Sequence, residues 1–281
     1  MAILIDGKAV AARKMEELQA RVDKLKAKGV TPSLRVVQVG DDPASNIYIR
    51  QKQKACERLG INFIHDKYTD DWAGHFNFNA FVTGVRENSE PKGAMMIQLP
   101  LPVELNNHEE WFIPCGVDVD GLSLGNVGLL FKGAKYGFRP CTAAGIMELL
   151  KAYDVPLAGK HAVVVGRSNI VGKPVSMLLL NEDCTVTICH SKTENLFSIT
   201  KQADILIVAA GKPNLIDCYG VKPGAAVIDV GINRVDGKLC GDVDFDSVEP
   251  IAGWITPVPG GVGPMTVAML MENVIHAEER R

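Results

Sequence analysis

Tyr48 and Lys52 stand four residues apart in the run Ser45-Asn-Ile-Tyr-Ile-Arg-Gln-Lys52, a spacing that puts both on one face of a helix. A lysine beside a tyrosine hydroxyl can lose and regain a proton, which makes the pair a candidate base. The same spacing also suits an ordinary solvated helix face. Gln98 falls near the end of the apolar run Ala94–Leu99, just before Pro100-Leu101-Pro102. Ligands of open α/β sheets gather beyond such strand ends, so its amide can orient a polar substrate or a water, or simply cap backbone. Asp118 and Asp120 lie two apart in Val117-Asp-Val-Asp-Gly121 and point the same way if that segment is extended. They suit acid–base work, or one buried carboxylate anchoring a ligand's N–H groups, or a solvated loop. No third oxygen ligand follows, so no metal is expected.

A second cluster begins at His161-Ala-Val-Val-Val-Gly166-Arg-Ser-Asn-Ile-Val-Gly172-Lys-Pro174. A short apolar strand, a glycine-bearing turn and a helix with proline in its first turn form a geometry that aims backbone N–H groups at a phosphate. The glycine spacing is not that of the G-x-G-x-x-G fingerprint, and an ordinary βα turn fits it too. The next strand, Thr185–Cys189, ends in His190-Ser191-Lys192 and carries no acid for a ribose 2′-hydroxyl. Arg167 pairing with a 2′-phosphate, with Ser191 donating to it, favours NADP over NAD. Pro257-Val-Pro-Gly-Gly-Val-Gly-Pro264 mixes rigid and permissive backbone, which lets a flat ligand approach the main chain.

The elements that position these residues follow from hydrophobic period and punctuation. Helices are expected at Lys8–Lys28 with Asp6 as cap, from Ser45 as cap to Leu59, at Asp71–Asn88, Glu104–Phe112, Ala143–Tyr153 with Thr142 as cap, 172–180, 195–202 and Met265–Ala277. Strands are expected at Leu34–Val39, Asn62–Tyr68, Ala94–Leu99, 162–165, 185–189, 204–208 and 225–230. The alternation after residue 160 argues an α/β fold with a parallel sheet covered by helices on both faces. Two domains are the length-based expectation for 281 residues.

An apolar content of 47% provides for a sizeable core, and a net charge of −3 gives no electrostatic case for nucleic acid or an anionic membrane. Asp6 and Lys8 come too early for a signal peptide, and no apolar run reaches membrane-span length. Seven cysteines without a C-x-x-C pair read as reduced thiols of a cytoplasmic protein.

Together, these stretches resemble the bifunctional methylenetetrahydrofolate dehydrogenase/methenyltetrahydrofolate cyclohydrolase family of the FolD type. The matching blocks include VGDDPASNIYIRQK, QLPLP, DVDGL, RPCTAAGIMELL, GKHAVVVGRSNIVGKP, TVTICHSKT, ADILIVAAGKP, GAAVIDVGIN and ITPVPGGVGPMTVAML, in order from about residue 39 to 271. The resemblance implies NADP-dependent oxidation of 5,10-methylenetetrahydrofolate, then hydrolysis of the methenyl product to 10-formyltetrahydrofolate. It implies a homodimer whose protomer has a folate-binding catalytic domain (1–139, with helix 265–281 packing back on it), a Rossmann-like NADP domain (140–264), and an active-site cleft between them.

Carried over residue by residue, the resemblance makes Lys52 the proton carrier, Tyr48 its hydrogen-bond partner and a folate contact, and Gln98 the group that positions Lys52 and the water. It makes Asp120 the pterin anchor. Leu99 and Pro259, Gly260, Gly261, Val262 and Gly263 back the folate, and Thr142, Gly166, Arg167, Ser168, Ser191 and Ile232 line NADP. Val117 stands where the family has lysine and Ala143 where it has proline, and Asp66–Lys92 matches poorly. Two other readings are an NADP-dependent dehydrogenase of another small acid and a paralogue that binds folate or dinucleotide without turnover. Retention of Tyr48, Lys52, Gln98 and Asp120 together argues against the paralogue.

Overall fold

In chain order the elements are β1 (Ile3–Leu4), α1 (Gly7–Ala27), β2 (Ser33–Val39), α2 (Pro43–Leu59), β3 (Asn62–Tyr68), β4 (Ala94–Ile97), α3 (Leu124–Phe131) and α4 (Cys141–Ala152). Then follow β5 (His161–Val165), α5 (Gly172–Asn181), β6 (Thr185–Cys189), α6 (Leu196–Thr200), β7 (Ile205–Val208), β8 (Ala226–Asp229), β9 (Asn233–Val235), β10 (Lys238–Cys240), α7 (Phe245–Val248), β11 (Trp254–Ile255) and α8 (Val262–Glu279). This computed structural model describes residues 1–68, 93–102 and 113–280. The helices expected over Asp71–Asn88 and Glu104–Phe112 lie outside the described residues. The chain divides into two units, Met1–Arg13 with Cys141–Thr266, and Lys14–Pro140 with Val267–Arg281.

The unit containing 141–266 is built on a six-stranded sheet in the order β1-β11-β8-β7-β5-β6, with every neighbouring pair parallel. Its central strands read Ala-Val-Val-Val, Ile-Leu-Ile-Val and Ala-Val-Ile-Asp and are buried along their length. Continuous rather than alternating apolar runs are what a parallel sheet requires when both of its faces are covered. From β5 the chain moves outward to β6, then crosses back to pair β7 on the other side of β5. That reversal opens a crevice beyond the carboxyl ends of β5 and β7, the usual ligand position in such sheets. Met1–Arg13 belongs to this unit because Ile3 and Leu4 pair with Trp254 and Ile255.

The other unit holds a parallel three-stranded sheet, β3-β2-β4, whose inner residues Val37, Val39, Met95 and Ile97 pack with Leu101 and Ile113. The segment after Ile113 runs beside β4: the Met95 N–H donates to the Val117 carbonyl at 2.7 Å, and Val119 N–H donates to Met95 carbonyl at 3.1 Å. Among the described residues no helix is long and apolar enough to cross a membrane.

Several boundaries differ from the sequence reading. The cap of α2 is Asp42, whose carboxylate accepts the Ser45 N–H at 2.7 Å; Pro43 takes the first turn, so the helix begins before Ser45. Thr142 is not a cap but lies within the first turn of α4, its hydroxyl 3.2 Å from that of Thr266. Helix α8 starts at Val262, not Met265, because a helix's first turn tolerates Pro264, whose missing N–H would have had no partner there. Val262 and Gly263 are therefore helical, and the Val262 side chain is buried. Helix α3 and the β9–β10 hairpin were not expected.

Candidate functional site

Helix α2 carries Tyr48 and Lys52 one turn apart. Tyr48 is 42% exposed while Lys52 is only 9% exposed, so the same helix face runs from solvent into the protein. The Lys52 ammonium donates to Gln98 Oε1 at 2.6 Å. Gln98 is buried immediately after β4, where its backbone N–H donates to the Val37 carbonyl at 2.8 Å and its Nε2 donates to the Leu99 carbonyl at 2.6 Å. The Ser45 hydroxyl donates to that same carbonyl at 3.3 Å. The start of α2, the middle of α2 and the end of β4 are thereby joined through one amide and one carbonyl, which fixes the direction of the lysine.

The two loop aspartates part company. Asp118 is buried and accepts the Gly121 N–H at 3.0 Å, the Ser123 N–H at 2.7 Å and the Asn126 side-chain amide at 2.9 Å. It is a brace that holds its own loop. Asp120 is half-buried and lines a small cavity with Ile97, Ile113, Asp118, Leu122 and Ser123. Ile97 closes β4 directly before Gln98, so this cavity lies beside the end of the same strand.

In the unit with the six-stranded sheet, Gly166 follows β5 at φ +133°, and a Cβ there would collide with the Ala209 carbonyl. A Cβ on Gly172 would likewise collide with the Gly166 carbonyl. Backbone packs directly against both glycines at the reversal point, so neither position admits a side chain. The sequence reading aimed the backbone N–H groups of this turn at a phosphate; of these, Ser168 takes those of Val171, Gly172 and Lys173. Its hydroxyl oxygen accepts the Val171 N–H at 3.2 Å and the Gly172 N–H at 3.3 Å, and its carbonyl accepts that of Lys173 at 3.0 Å. The turn can therefore meet an anion through the Ser168 O–H proton and the exposed Arg167 and Ser191 side chains beyond the neighbouring strands β5 and β6.

Ile232, 52% exposed, follows β8 on the other side of the crevice. The loop Pro259–Gly261 follows β11 and is pinned by the Gly261 N–H on the Pro257 carbonyl at 2.8 Å and the Lys8 N–H on the Gly260 carbonyl at 3.1 Å. Thr142 is joined to Thr266 rather than to these strand-end loops.

Two residues that the sequence reading left without a role stand out here. Asp229, at the end of β8, is buried, and its carboxyl accepts the backbone N–H groups of Gly231, Asp242 and Val243 at 2.9–3.0 Å. Burial pushes this carboxyl up to about 6, against the opposing pull of those three N–H donors. Asp242 is completely buried beside it. An acid closing an apolar strand, Ala-Val-Ile-Asp229, is the signal that pointed to the first; nothing in spacing pointed to the second.

Residues 5–119 match the family model of the tetrahydrofolate dehydrogenase/cyclohydrolase catalytic domain, and residues 140–281 match the model of the NAD(P)-binding domain of the same family. A relative from Halalkalibacterium halodurans, the bifunctional protein FolD, is 52% identical over 280 residues, covering 98% of each chain. The crystal structure of the bifunctional FolD methylenetetrahydrofolate dehydrogenase/cyclohydrolase from Campylobacter jejuni is 44% identical and superposes with a TM-score of 0.95 over 100% of both chains. The Trypanosoma brucei methylenetetrahydrofolate dehydrogenase-cyclohydrolase, solved with NADP cofactor and an inhibitor, is 38% identical with a TM-score of 0.91, covering 99% of this chain and 98% of that one.

Proposed function

The chain belongs to the tetrahydrofolate dehydrogenase/cyclohydrolase family, and we propose that Lys52, Gln98, Tyr48 and Asp120 carry its folate chemistry while Gly166, Arg167, Ser168, Ser191 and Ile232 line its cofactor. The enzyme is a bifunctional NADP-dependent methylenetetrahydrofolate dehydrogenase and methenyltetrahydrofolate cyclohydrolase. NADP, when bound, supplies the hydride acceptor. The exposed Arg167 guanidinium and Ser191 hydroxyl, beyond the neighbouring strands β5 and β6, suit a dinucleotide carrying a 2′-phosphate.

Loss of hydride from the methylene carbon leaves a cation shared by its two flanking nitrogens, so the oxidation asks the protein for orientation and not for a proton acceptor. Hydrolysis does need proton movement. A water oxygen bonds to the methenyl carbon and gives up one proton; the bond from that carbon to one ring nitrogen then breaks as the new hydroxyl loses its remaining proton to solvent, and the nitrogen gains a proton, leaving the formyl group on the other. Lys52, as the amine, takes the first proton and returns it to the departing nitrogen. Gln98 holds the lysine in place for both transfers. Asp120 accepts the pterin's amino and ring N–H groups, and Tyr48 packs on the folate. Leu99, the loop Pro259–Gly261 with Val262 and Gly263, and Thr142 are assigned their ligand contacts on the resemblance alone, as are the homodimer and the cytoplasmic location.

The observation that carries this reading is the 2.6 Å bond between a buried lysine and a buried amide at a strand end. Replacing Lys52 with Met removes the proton carrier and keeps an apolar stem of similar reach. Methenyltetrahydrofolate hydrolysis is expected to fall by about 10³-fold, with NADP binding unchanged by direct titration. Hydrolysis at the wild-type rate in Lys52→Met would overturn the assignment.

A further inference from the structure

The loop after β7 presents three successive backbone N–H groups, those of Ala210, Gly211 and Lys212, and all three point at one carboxylate. Asp242 Oδ2 accepts from Ala210 at 2.6 Å and from Gly211 at 2.8 Å, and Oδ1 accepts from Lys212 at 2.8 Å. Oδ1 also accepts from the Asn233 side-chain amide at 2.8 Å. Successive N–H groups of this kind make a concavity that elsewhere binds a phosphate. Here the anion is built into the chain, so this loop is closed to a ligand's phosphate.

The carboxylate joins the loop after β7 to the segment after β8. That segment is held a second time from its other side, because Gly231 N–H and Asp242 N–H both donate to Asp229 Oδ1, at 3.0 and 2.9 Å. Ile232 therefore sits between a residue fixed by Asp229 and a residue fixed by Asp242. The packing leaves no slack, since a Cβ on Gly231 would collide with the Asp242 carboxylate. The same loop reaches the turn after β5: the Ala209 carbonyl is the atom that Gly166 must be a glycine to accommodate, and the Ala209 N–H donates to the Val165 carbonyl at 2.8 Å. One buried carboxylate thus sets the loop behind the Gly166 turn and the strand-end segment bearing Ile232.

We propose that Asp242 is a positioning residue for the dinucleotide, acting through the main chain of Ala210–Lys212 and through Asn233 without touching the ligand. The inference rests on the reading that the Gly166 turn and Ile232 line NADP. Asp242→Asn keeps the volume and exchanges one acceptor oxygen for a donor that faces N–H groups. NADP affinity, read by direct titration of the purified enzyme, is expected to weaken at least about tenfold, as for the loss of a charge-assisted bond. Methenyl hydrolysis measured without NADP stays within about twofold, because Lys52, Gln98, Tyr48 and Asp120 lie in the other unit.

Val248→Ala, a cavity in the buried cluster of the same unit, is the control for lost stability alone: it lowers the melting temperature and leaves NADP affinity intact. Asn233→Ala removes a single bond to the carboxylate and covers the case in which Asp242→Asn fails to fold; an approximately threefold loss of affinity is expected. Unchanged NADP affinity in Asp242→Asn, or in Asn233→Ala if the first does not fold, overturns the proposal. So does an equal loss in Val248→Ala. A wild-type enzyme that fails to bind NADP at all would instead sink the cofactor reading on which the proposal stands.

Discussion

Lys52 and Asp229 are both buried titratable groups at the carboxyl end of a parallel strand or beside one, yet their surroundings suit opposite tasks. One partner of Lys52 is an amide oxygen, Gln98 Oε1, which accepts a hydrogen bond from an ammonium or from an amine alike. The lysine can lose and regain its proton while that bond persists. Asp229 is surrounded by backbone donors, the N–H groups of Gly231, Asp242 and Val243. Those donors favour the ionised carboxylate, but burial outweighs them and favours the protonated form in the folded protein. The first is the group proposed to move protons; the second ties loops together through its main-chain donors. The identity of the partner, more than burial, separates a working group from a framing one.

The sharpest way to break this comparison is to change the partner at the working site. Gln98→Glu replaces the neutral amide with a carboxylate of the same shape, which locks the lysine as an ion-paired ammonium. Hydrolysis is expected to drop by about 10²-fold, with some loss of melting temperature because the atom that donates to the Leu99 carbonyl becomes an acceptor. Hydrolysis at the wild-type rate would show that the partner's neutrality is irrelevant.

At the framing site the test is pH. The folded-state value near 6 lies above the ordinary 3.8, so the native protein holds the proton more tightly than the unfolded chain does. The stability this confers is fully present below about pH 4 and is lost as pH rises to about 6, a change of roughly 3 kcal/mol. Denaturant unfolding of wild type and Asp229→Asn across pH 4–7 isolates it, because the amide does not titrate. The wild-type advantage should shrink by that amount over the window, and parallel curves would refute the assignment.

The smallest effect concerns the crevice. Arg167→Ala should weaken NADP by about tenfold and NAD much less, as expected when one charge-assisted contact to a 2′-phosphate is removed. Equal losses for the two dinucleotides would mean that Arg167 does not read that phosphate.

Much of the frame was legible because the forces that build it are local. The alternation of helices with mainly apolar runs at 162–165, 204–208 and 225–230, interrupted only by Asp204 and Asp229, announced a parallel sheet covered on both faces, and the observed strands β5, β7 and β8 fall on them. Helix α3 was hidden by Gly125 and Gly128, poor helix formers inside an eight-residue segment. The β9–β10 hairpin was missed although Asp236-Gly237, both at positive φ, is a turn signal.

At the candidate sites, spacing could nominate Tyr48 and Lys52 but could not tell Asp118 from Asp120. Only the N–H groups converging on Asp118 make that distinction. Asp242 was beyond reach for a related reason: its donors come from residues 210–212 and from Asn233, brought together by strand order rather than by sequence distance.

The edge of the six-stranded sheet has a consequence for how this chain folds as it is synthesised. Ile3 pairs with Trp254, and Leu4 with Ile255. During vectorial emergence from a ribosome, β1 has no strand to join until some 250 residues have followed it, as the pairing register requires. Closing that loop is entropically slow. In the interval the apolar pair Ile3–Leu4 stays unpaired, while the sheet can grow from its β6 edge, β5 with β6 first and then β7, β8 and β11. The outermost strand, though early in the chain, is thus a late fastening, and a nascent-chain experiment should find protease protection of residues 3–4 only after residue 255 has cleared the exit tunnel.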